Sequence, residues 1–418
     1  MRVIYDIHMH AFDLSHPNLS AFISRLYDHD PRVKRSFWDS IKGLFSFLKN
    51  IKDKLALMRN ALVMLEYPIE DYFLILEYFL KQEPAIIVKD KINIFKEEPY
   101  DRLVICPLMI DFGQRNALNN PGFYKVMPGK PIAKQTKDLF NAIKNYYSFE
   151  FTSIDSIEKV TYNGTPKPLL ILPFLGIKPF FYQRDEKQLE DLFKKYFSGY
   201  ENDNKEMRKT RAFDLSQKAF MNFSGNLENG DFTNMFFGVK VYPPLGYEPI
   251  STVNHKLYEL CIKYKLPITT HCSDGGFVTE STSVQWTDPR IDWKQVLVKY
   301  PELKLNFAHF GSQRKSNSSE WKKQIIFNFS DEKLNVYADL SCCLFDLKDY
   351  NELIDWLDKN DPKGSSNSKL LFGSDFFLNL FWSKSYNDYL LCLDNQYVIK
   401  GRLDKIFERN PEEFLFKV

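Results

Sequence analysis

Histidine is scarce in this chain, with seven in 418 residues, yet two stand one residue apart within the first ten. Other scarcities narrow the field. Six cysteines are scattered at Cys106, Cys261, Cys272, Cys342, Cys343 and Cys392, and none forms a CxxC pair. That density is far below a disulfide-stapled domain and points to reduced thiols in a cytoplasmic protein. Net charge is almost lacking, at +2, so nothing recommends a long-range pull on nucleic acid or on an anionic membrane. Long apolar runs are missing too. The most apolar stretch, Tyr72 to Leu80, is too short to span a bilayer and contains Glu77. The N-terminus shows no basic region leading into an apolar core and a cleavage site. A strand starting at Arg2 or Val3 leaves no room for a targeting segment. No glycine-rich phosphate loop follows an early strand, which counts against a doubly wound nucleotide-binding sheet.

Aromatic residues are what the chain has in plenty: 37 Phe and 23 Tyr. They predict thick, Phe-filled cores. Short apolar runs recur, each closing on polar or small residues. They are Arg2–Ile7, Asp101–Asp111, Lys167–Ile177, Phe236–Tyr242, Leu266–Thr270, Leu303–Ala308, Val336–Leu340 and Lys369–Phe372. Near-continuous runs of this kind predict parallel strands covered on both faces. Helical patterns at Asn254–Lys265, Trp293–Tyr300 and Asp346–Leu357 separate the later runs. Eight such strands with intervening helices predict an α/β chain folded as a (β/α)8 TIM barrel, one domain over residues 1–418.

Two segments interrupt the rhythm. Residues 11–98 follow the first strand. They carry an apolar stripe at Ile41, Leu44, Leu48, Ile51, Leu55, Met58, Leu62 and Leu65, then a second helix over Ile69–Lys81. The stripe predicts a helical insertion packed on the barrel. Its near-heptad spacing also suits a dimer seam, so a homo-oligomer stays open. Residues 180–235 follow the third strand and are polar, ending in NFSGNLENGDFTN. Both segments leave the ends of strands where barrel loops build active sites, so both are expected to cap the pocket.

Chemistry-capable residues gather at these strand ends. His8 and His10 close the first run, Lys240 lies in the fourth, His271 closes the fifth, His309 the sixth and Asp375 the eighth. Alternate residues of a strand share a face, so His8 and His10 can aim two imidazoles at one point. Neutral imidazole suits a divalent ion, most readily zinc. Asp375 adds a carboxylate able to bind the ion and to take a proton from water that the ion has acidified. Taken singly, a buried His is more often a satisfied core residue, and an Asp at a strand end can be a helix cap. Chance placement of all six, in order, is improbable.

This ordered set resembles the amidohydrolase superfamily of metal-dependent barrels. Closest is the branch that includes relatives of aminocarboxymuconate-semialdehyde decarboxylase. The resemblance is carried by GVKVYPPLGY, THCSDGG and DPRIDWKQVLVKYPELKLNFAHFG, and by IFERNPEEFL with its Asn410. The two insertions have no counterpart in it. It implies that His8, His10 and Asp375 hold one ion. His271 would join that ion or a second one. His309 would bind the second ion or act on the substrate as proton donor and electrophile. Lys240, if carboxylated, would bridge two ions; unmodified, it would be a cation beside one, or a structural ion pair in the interior. Tyr242, two residues beyond Lys240, and Arg290, in TDPR, are candidates to meet substrate, a surface salt bridge being the alternative for Arg290. Cys272 points away into packing and is not expected to be a nucleophile. His16, His29 and His255 read as ordinary. The expected activity is hydrolysis of an amide, lactone or ester bond of a small molecule. A single-ion, non-oxidative decarboxylase is the alternative. An inactive barrel serving as a binding module is a third reading. A nuclease ranks low, because those relatives usually carry Glu where Lys240 stands and the balanced charge offers no phosphate-tracking stripe.

Overall fold

The computed structural model describes residues 1–13, 61–95, 98–112, 130–151, 159–161, 167–276, 283–313, 316–392 and 403–418. Its principal elements alternate strand and helix. They are β1 (Val3–Met9), α1 (Tyr72–Leu80), β2 (Arg102–Pro107), α2 (Ile132–Ser148), β3 (Leu169–Ile171), β4 (Phe174–Gly176) and α3 (Glu186–Phe197). There follow β5 (Gly238–Val241), α4 (His255–Lys263), β6 (Ile268–Thr270), α5 (Asp292–Lys299), β7 (Leu305–Phe307), α6 (Glu320–Phe329), β8 (Val336–Asp339), α7 (Leu347–Asn360), β9 (Leu370–Leu371) and α8 (Arg409–Phe416). The third apolar run is thus two strands. Pro173 has no N–H for a ladder and divides them.

All pairings among β1–β9 are parallel. They form a three-stranded sheet, β1-β2-β3, and a six-stranded sheet, β9-β8-β7-β6-β5-β4. Two isolated parallel bridges, Leu108↔Phe174 and Met9↔Phe376, join one sheet to the other. The Ile7 N–H also donates to the Phe372 carbonyl at 3.1 Å.

Alternate residues of a strand enter different cores. Leu103 and Ile105 of β2 join the large cluster under the helices, with Ile143, Phe193, Tyr258 and Trp293. Val104 and Cys106 join a smaller one with Tyr5, Leu170, Tyr337 and Phe414. A strand buried on both faces must be apolar at nearly every position, and this explains the unbroken runs. Among the described residues no helix is long and apolar enough to cross a membrane.

The helices expected around Asn254–Lys265, Trp293–Tyr300 and Asp346–Leu357 are α4, α5 and α7. That expected over Ile69–Lys81 is a turn at Ile69–Asp71 continuing into α1. Of the apolar stripe, Ile41 to Met58 lies outside the described residues, as do His16 and His29, while residues 61–66 are helical.

The second inserted segment departs from expectation. It holds α3 and two short helices, Lys205–Thr210 and Ser216–Met221. Arg208 donates to the carbonyls of Tyr264 and Lys265, at 2.6 and 3.3 Å, just before β6 begins. Lys205 pairs with Glu412 and Glu413 of α8 at 2.9 and 2.6 Å. This part lies by the N-terminal ends of the strands and does not cap the histidines. A connection between parallel strands has to return to their starting ends, and much of the segment makes that return journey.

Candidate metal centre

The C-terminal ends of β1, β6 and β7, with the turn after β9, bring five predicted residues together. Their side chains are buried: His8 is 0% exposed, His10 3%, His271 5%, His309 7% and Asp375 6%. His8 Nε2 lies 3.5 Å and His10 Nε2 3.2 Å from Asp375 Oδ1. The His8 and His309 rings are 5.0 Å apart, and those of His271 and His309 are 4.9 Å apart.

Backbone geometry makes these approaches possible. The Asp375 N–H donates to the His8 carbonyl at 2.7 Å, and the His10 N–H to the Phe376 carbonyl at 2.6 Å. Asp375 and His309 have φ of 59° and 61°, left-handed values that non-glycine residues adopt at a cost. Two glycines admit the rings. A Cβ on Gly373 would stand 2.7 Å from that of His8. A Cβ on Gly276, at φ +92°, would stand 2.7 Å from His271 Nε2 and 2.4 Å from the Tyr242 hydroxyl.

Hydrogen-bond partners set the tautomers. His8 Nδ1 lies 3.0 Å from Asp339 Oδ2, so it carries the hydrogen and Nε2 is bare. His10 Nδ1 lies 2.8 Å from the Leu108 carbonyl oxygen, which leaves its Nε2 bare as well. His309 Nδ1 lies 3.1 Å from the Ser341 carbonyl oxygen, and His271 Nε2 lies 3.1 Å from that of Gly275. A carbonyl only accepts, so these nitrogens donate. The remaining two, His309 Nε2 and His271 Nδ1, then face each other as lone pairs at 3.2 Å. Two lone pairs repel unless something electrophilic sits between them.

Electrostatics point the same way. Burial lowers His8 to about 4, against the pull of Asp339. Burial also lowers His309, and His271 well below its ordinary value. All three are therefore neutral near pH 7. Burial alone would raise Asp375, but the imidazoles around it, of His10, His8 and His309, hold it well below the usual carboxylate range. Asp339 is held low in the same manner by His8, His309 and Ser341.

The donor set fits a divalent ion. His8 Nε2 and Asp375 Oδ1 are buried with no hydrogen-bond partner among the described residues. Two ligand atoms on one tetrahedral zinc lie about 3.3 Å apart, given bonds of about 2.0–2.1 Å. The spacings of 3.2–3.5 Å among these atoms match that edge. Two candidate ligand groups occur among the described residues: His8, His10, Asp375 and His8, His309, Asp339. The first is the better donor set. Asp339 is already committed to His8 Nδ1, the N–H groups of His309 and Ser341, and the Ser341 hydroxyl. It orients ligands rather than joining them.

Lys240 lies in β5, 1% exposed, and its Nζ has no hydrogen-bond partner among the described residues. Burial lowers it to about 8. Tyr242 packs its ring 4.7 Å from that of His271. Arg290 is forked onto Asp288 at 2.8–3.2 Å with a half-exposed side chain. Cys272 is wholly buried, and burial pushes its thiol well up. His255 lies at the protein surface beside Lys299.

Asp339 is the member of this cluster that sequence reasoning passed over. Its signal was present: it closes VYAD as His271 closes PITT. A strand-end carboxylate with no ligand motif around it reads as structural, and only the contact with His8 changes that.

Residues 233–417 match the family model described as Amidohydrolase. No curated protein matches the chain. Three solved structures are similar over almost their whole length. One is a probable 2-pyrone-4,6-dicarboxylic acid hydrolase from Acinetobacter baumannii, at 10% identity and TM-score 0.45, covering 99% of this chain and 98% of that one. Another is 4-oxalomesaconate hydratase from Rhodopseudomonas palustris, at 12% identity and TM-score 0.46, covering 99% and 95%. The third is 5-carboxyvanillate decarboxylase from Novosphingobium aromaticivorans, with manganese in its structure, at 9% identity and TM-score 0.40, covering 100% and 94%. At such identities and TM-scores none of the three bears on function. The family match is the firmer finding, and it spans Lys240, His271, His309 and Asp375: over residues 233–417 the resemblance to the amidohydrolase superfamily holds.

Proposed function

We propose that this chain is a metal-dependent hydrolase that cleaves an amide, lactone or ester bond of a small molecule, on a closed (β/α)8 barrel in the cytoplasm. One observation carries the reading: bare His8 Nε2, ionised Asp375 and the facing lone pairs of His271 and His309 converge in one buried place. His8, His10 and Asp375 would hold a divalent ion, zinc being the first candidate, with His271 and His309 on that ion or a second. The ion would acidify water and polarise the bond to be cleaved.

The chain's own groups do the rest. Asp375 is held ionised, so its carboxylate can take a proton from the attacking water and return it to the leaving group. Its second oxygen, Oδ2, accepts from Cys342 Sγ at 3.0 Å, which steers Oδ1 toward His8 and His10. His309 Nε2 faces the centre as a lone pair and can join the ion or accept a proton there. Tyr242 closes one wall beside His271.

A single-ion decarboxylase is the second reading. The unpartnered Nζ of Lys240 favours it, since an ammonium there would bind a substrate carboxylate. The same amine, lowered to about 8, has a neutral fraction available for carboxylation. One experiment separates the two. Purified protein is assayed for metal stoichiometry and for a 44-Da adduct on Lys240, then tested against lactones, amides, esters and aromatic carboxylates. Two ions with the adduct and turnover of a lactone, amide or ester support the hydrolase. One ion with unmodified Lys240 and release of carbon dioxide supports the decarboxylase. Protein with no affinity for zinc or manganese sinks both.

A further inference from the structure

The first inserted segment reaches the ligands themselves. We propose that Tyr72, the first residue of α1, is a positioning residue of the ion site. Its hydroxyl fastens the His10 carbonyl, and its ring braces the turn that presents Asp375. The inference rests on reading His10 and Asp375 as ion ligands.

Tyr72 is 1% exposed, and its hydroxyl donates to the His10 carbonyl oxygen at 2.6 Å. β1 ends at Met9, so this carbonyl lies beyond the strand. Tyr72 Oη is the donor it finds among the described hydrogen bonds. His10 is then held by its N–H on Phe376, its Nδ1 on Leu108 and its carbonyl on Tyr72. The Tyr72 ring lies 6.3 Å from Phe376 and 6.4 Å from Phe377, the residues that follow Asp375. One side chain thus touches both the His10 end of β1 and the turn that carries Asp375.

A positioning residue needs a rigid mount, and α1 has one. The Ile69 N–H donates to Asp13 Oδ2 at 3.3 Å, just beyond His10. Asn145 of α2 donates to the Glu70 carbonyl at 3.3 Å. At the far end Asn387 donates to the carbonyls of Phe79 and Pro84, at 2.9 and 2.8 Å. Glu77 anchors the middle, buried against Lys167 at 3.4 Å. Groups that orient a ligand in this way typically change ion affinity by about 10- to 100-fold when removed.

The test uses the full chain, with zinc or manganese affinity read by competition against a chelating dye. Y72F keeps the ring and removes the hydroxyl. Y200F is the control, because Tyr200 is also 1% exposed and also donates to a backbone carbonyl, that of Phe236 at 2.7 Å, away from the site. Y72F is expected to weaken ion binding about tenfold and Y200F to leave it unchanged. Equal affinity in Y72F and wild type overturns the proposal, as does an equal loss in both variants. Should wild type bind neither ion, the ligand reading fails on its own. Tyr72 is then judged by amide exchange of His8–Phe12 and Asp375–Phe377 in ion-free protein. Faster exchange in Y72F than in Y200F upholds its positioning role, and equal exchange overturns it.

Discussion

The two arms of the site are built from the same imidazole in different company. His8 and His10 share a carboxylate, Asp375, and His8 leans on a second, Asp339. Among the described residues the rings of His271 and His309 find backbone carbonyls, serine hydroxyls and each other. The first arm supplies negative charge to a cation, and the second supplies only lone pairs. Binding strength should therefore reside in the first arm, and the second should tune what the bound ion does. His8 links them, since Asp339, which holds its Nδ1, also accepts from the His309 N–H at 3.1 Å.

Asp375→Asn tests that asymmetry most harshly. It removes the charge and the proton acceptor together while keeping the shape. Turnover should fall about 10³-fold, within the range for a positioned acid–base group, and metal content should drop with it. His271→Asn should leave the metal content of the first arm largely intact. Equal metal loss in both variants would break the comparison.

Acid is the next largest lever. His8 is lowered to about 4 by burial, whereas an unfolded chain binds its proton near 6.5. Between those values the unfolded state holds more protons, so stability falls as pH falls through the window and levels off below it. The drop from this group is about 3 kcal/mol in ion-free protein. Urea unfolding at pH 7 and pH 4.5 measures it, and His8→Gln should flatten the slope.

Asp339→Asn probes how far the first arm depends on its support. The replacement can offer its amide hydrogen to His8 Nδ1 and so favour the wrong tautomer. Ion affinity should weaken about 10- to 100-fold, with a smaller change in melting temperature than in affinity. Dye competition reads the first and calorimetry the second.

Much of this site is legible in the sequence because parallel strands carry a simple code. Apolar runs mark the strands, and the residue closing each run marks the end where side chains converge. His8, His10, His271 and His309 stand out because histidine is rare elsewhere in the chain. What escaped is whatever depends on partners remote in sequence. Asp339 is an ordinary strand aspartate until His8, 331 residues away, is set beside it. Tyr72 reads as one apolar position of a helix until its hydroxyl meets His10. The second inserted segment was placed by its order in the chain, which says what it connects but not at which end of the strands it rests.

Arg290 marks the smallest effect and draws the edge of the site. In the sequence, TDPR offered a cation to an anionic substrate. In the fold its guanidinium is forked onto Asp288, and its side chain is 43% exposed. Exposed pairs of this kind contribute about 0–1 kcal/mol, because water screens both charges. Arg290→Ala should therefore leave ion affinity unchanged and stability within about 1 kcal/mol of wild type. A substrate-binding role would show itself as a rise in KM at constant kcat, since binding lost equally from ground and transition states acts only there. If KM also holds, the ion pair with Asp288 accounts for Arg290, and the proposed substrate-binding role is withdrawn from it.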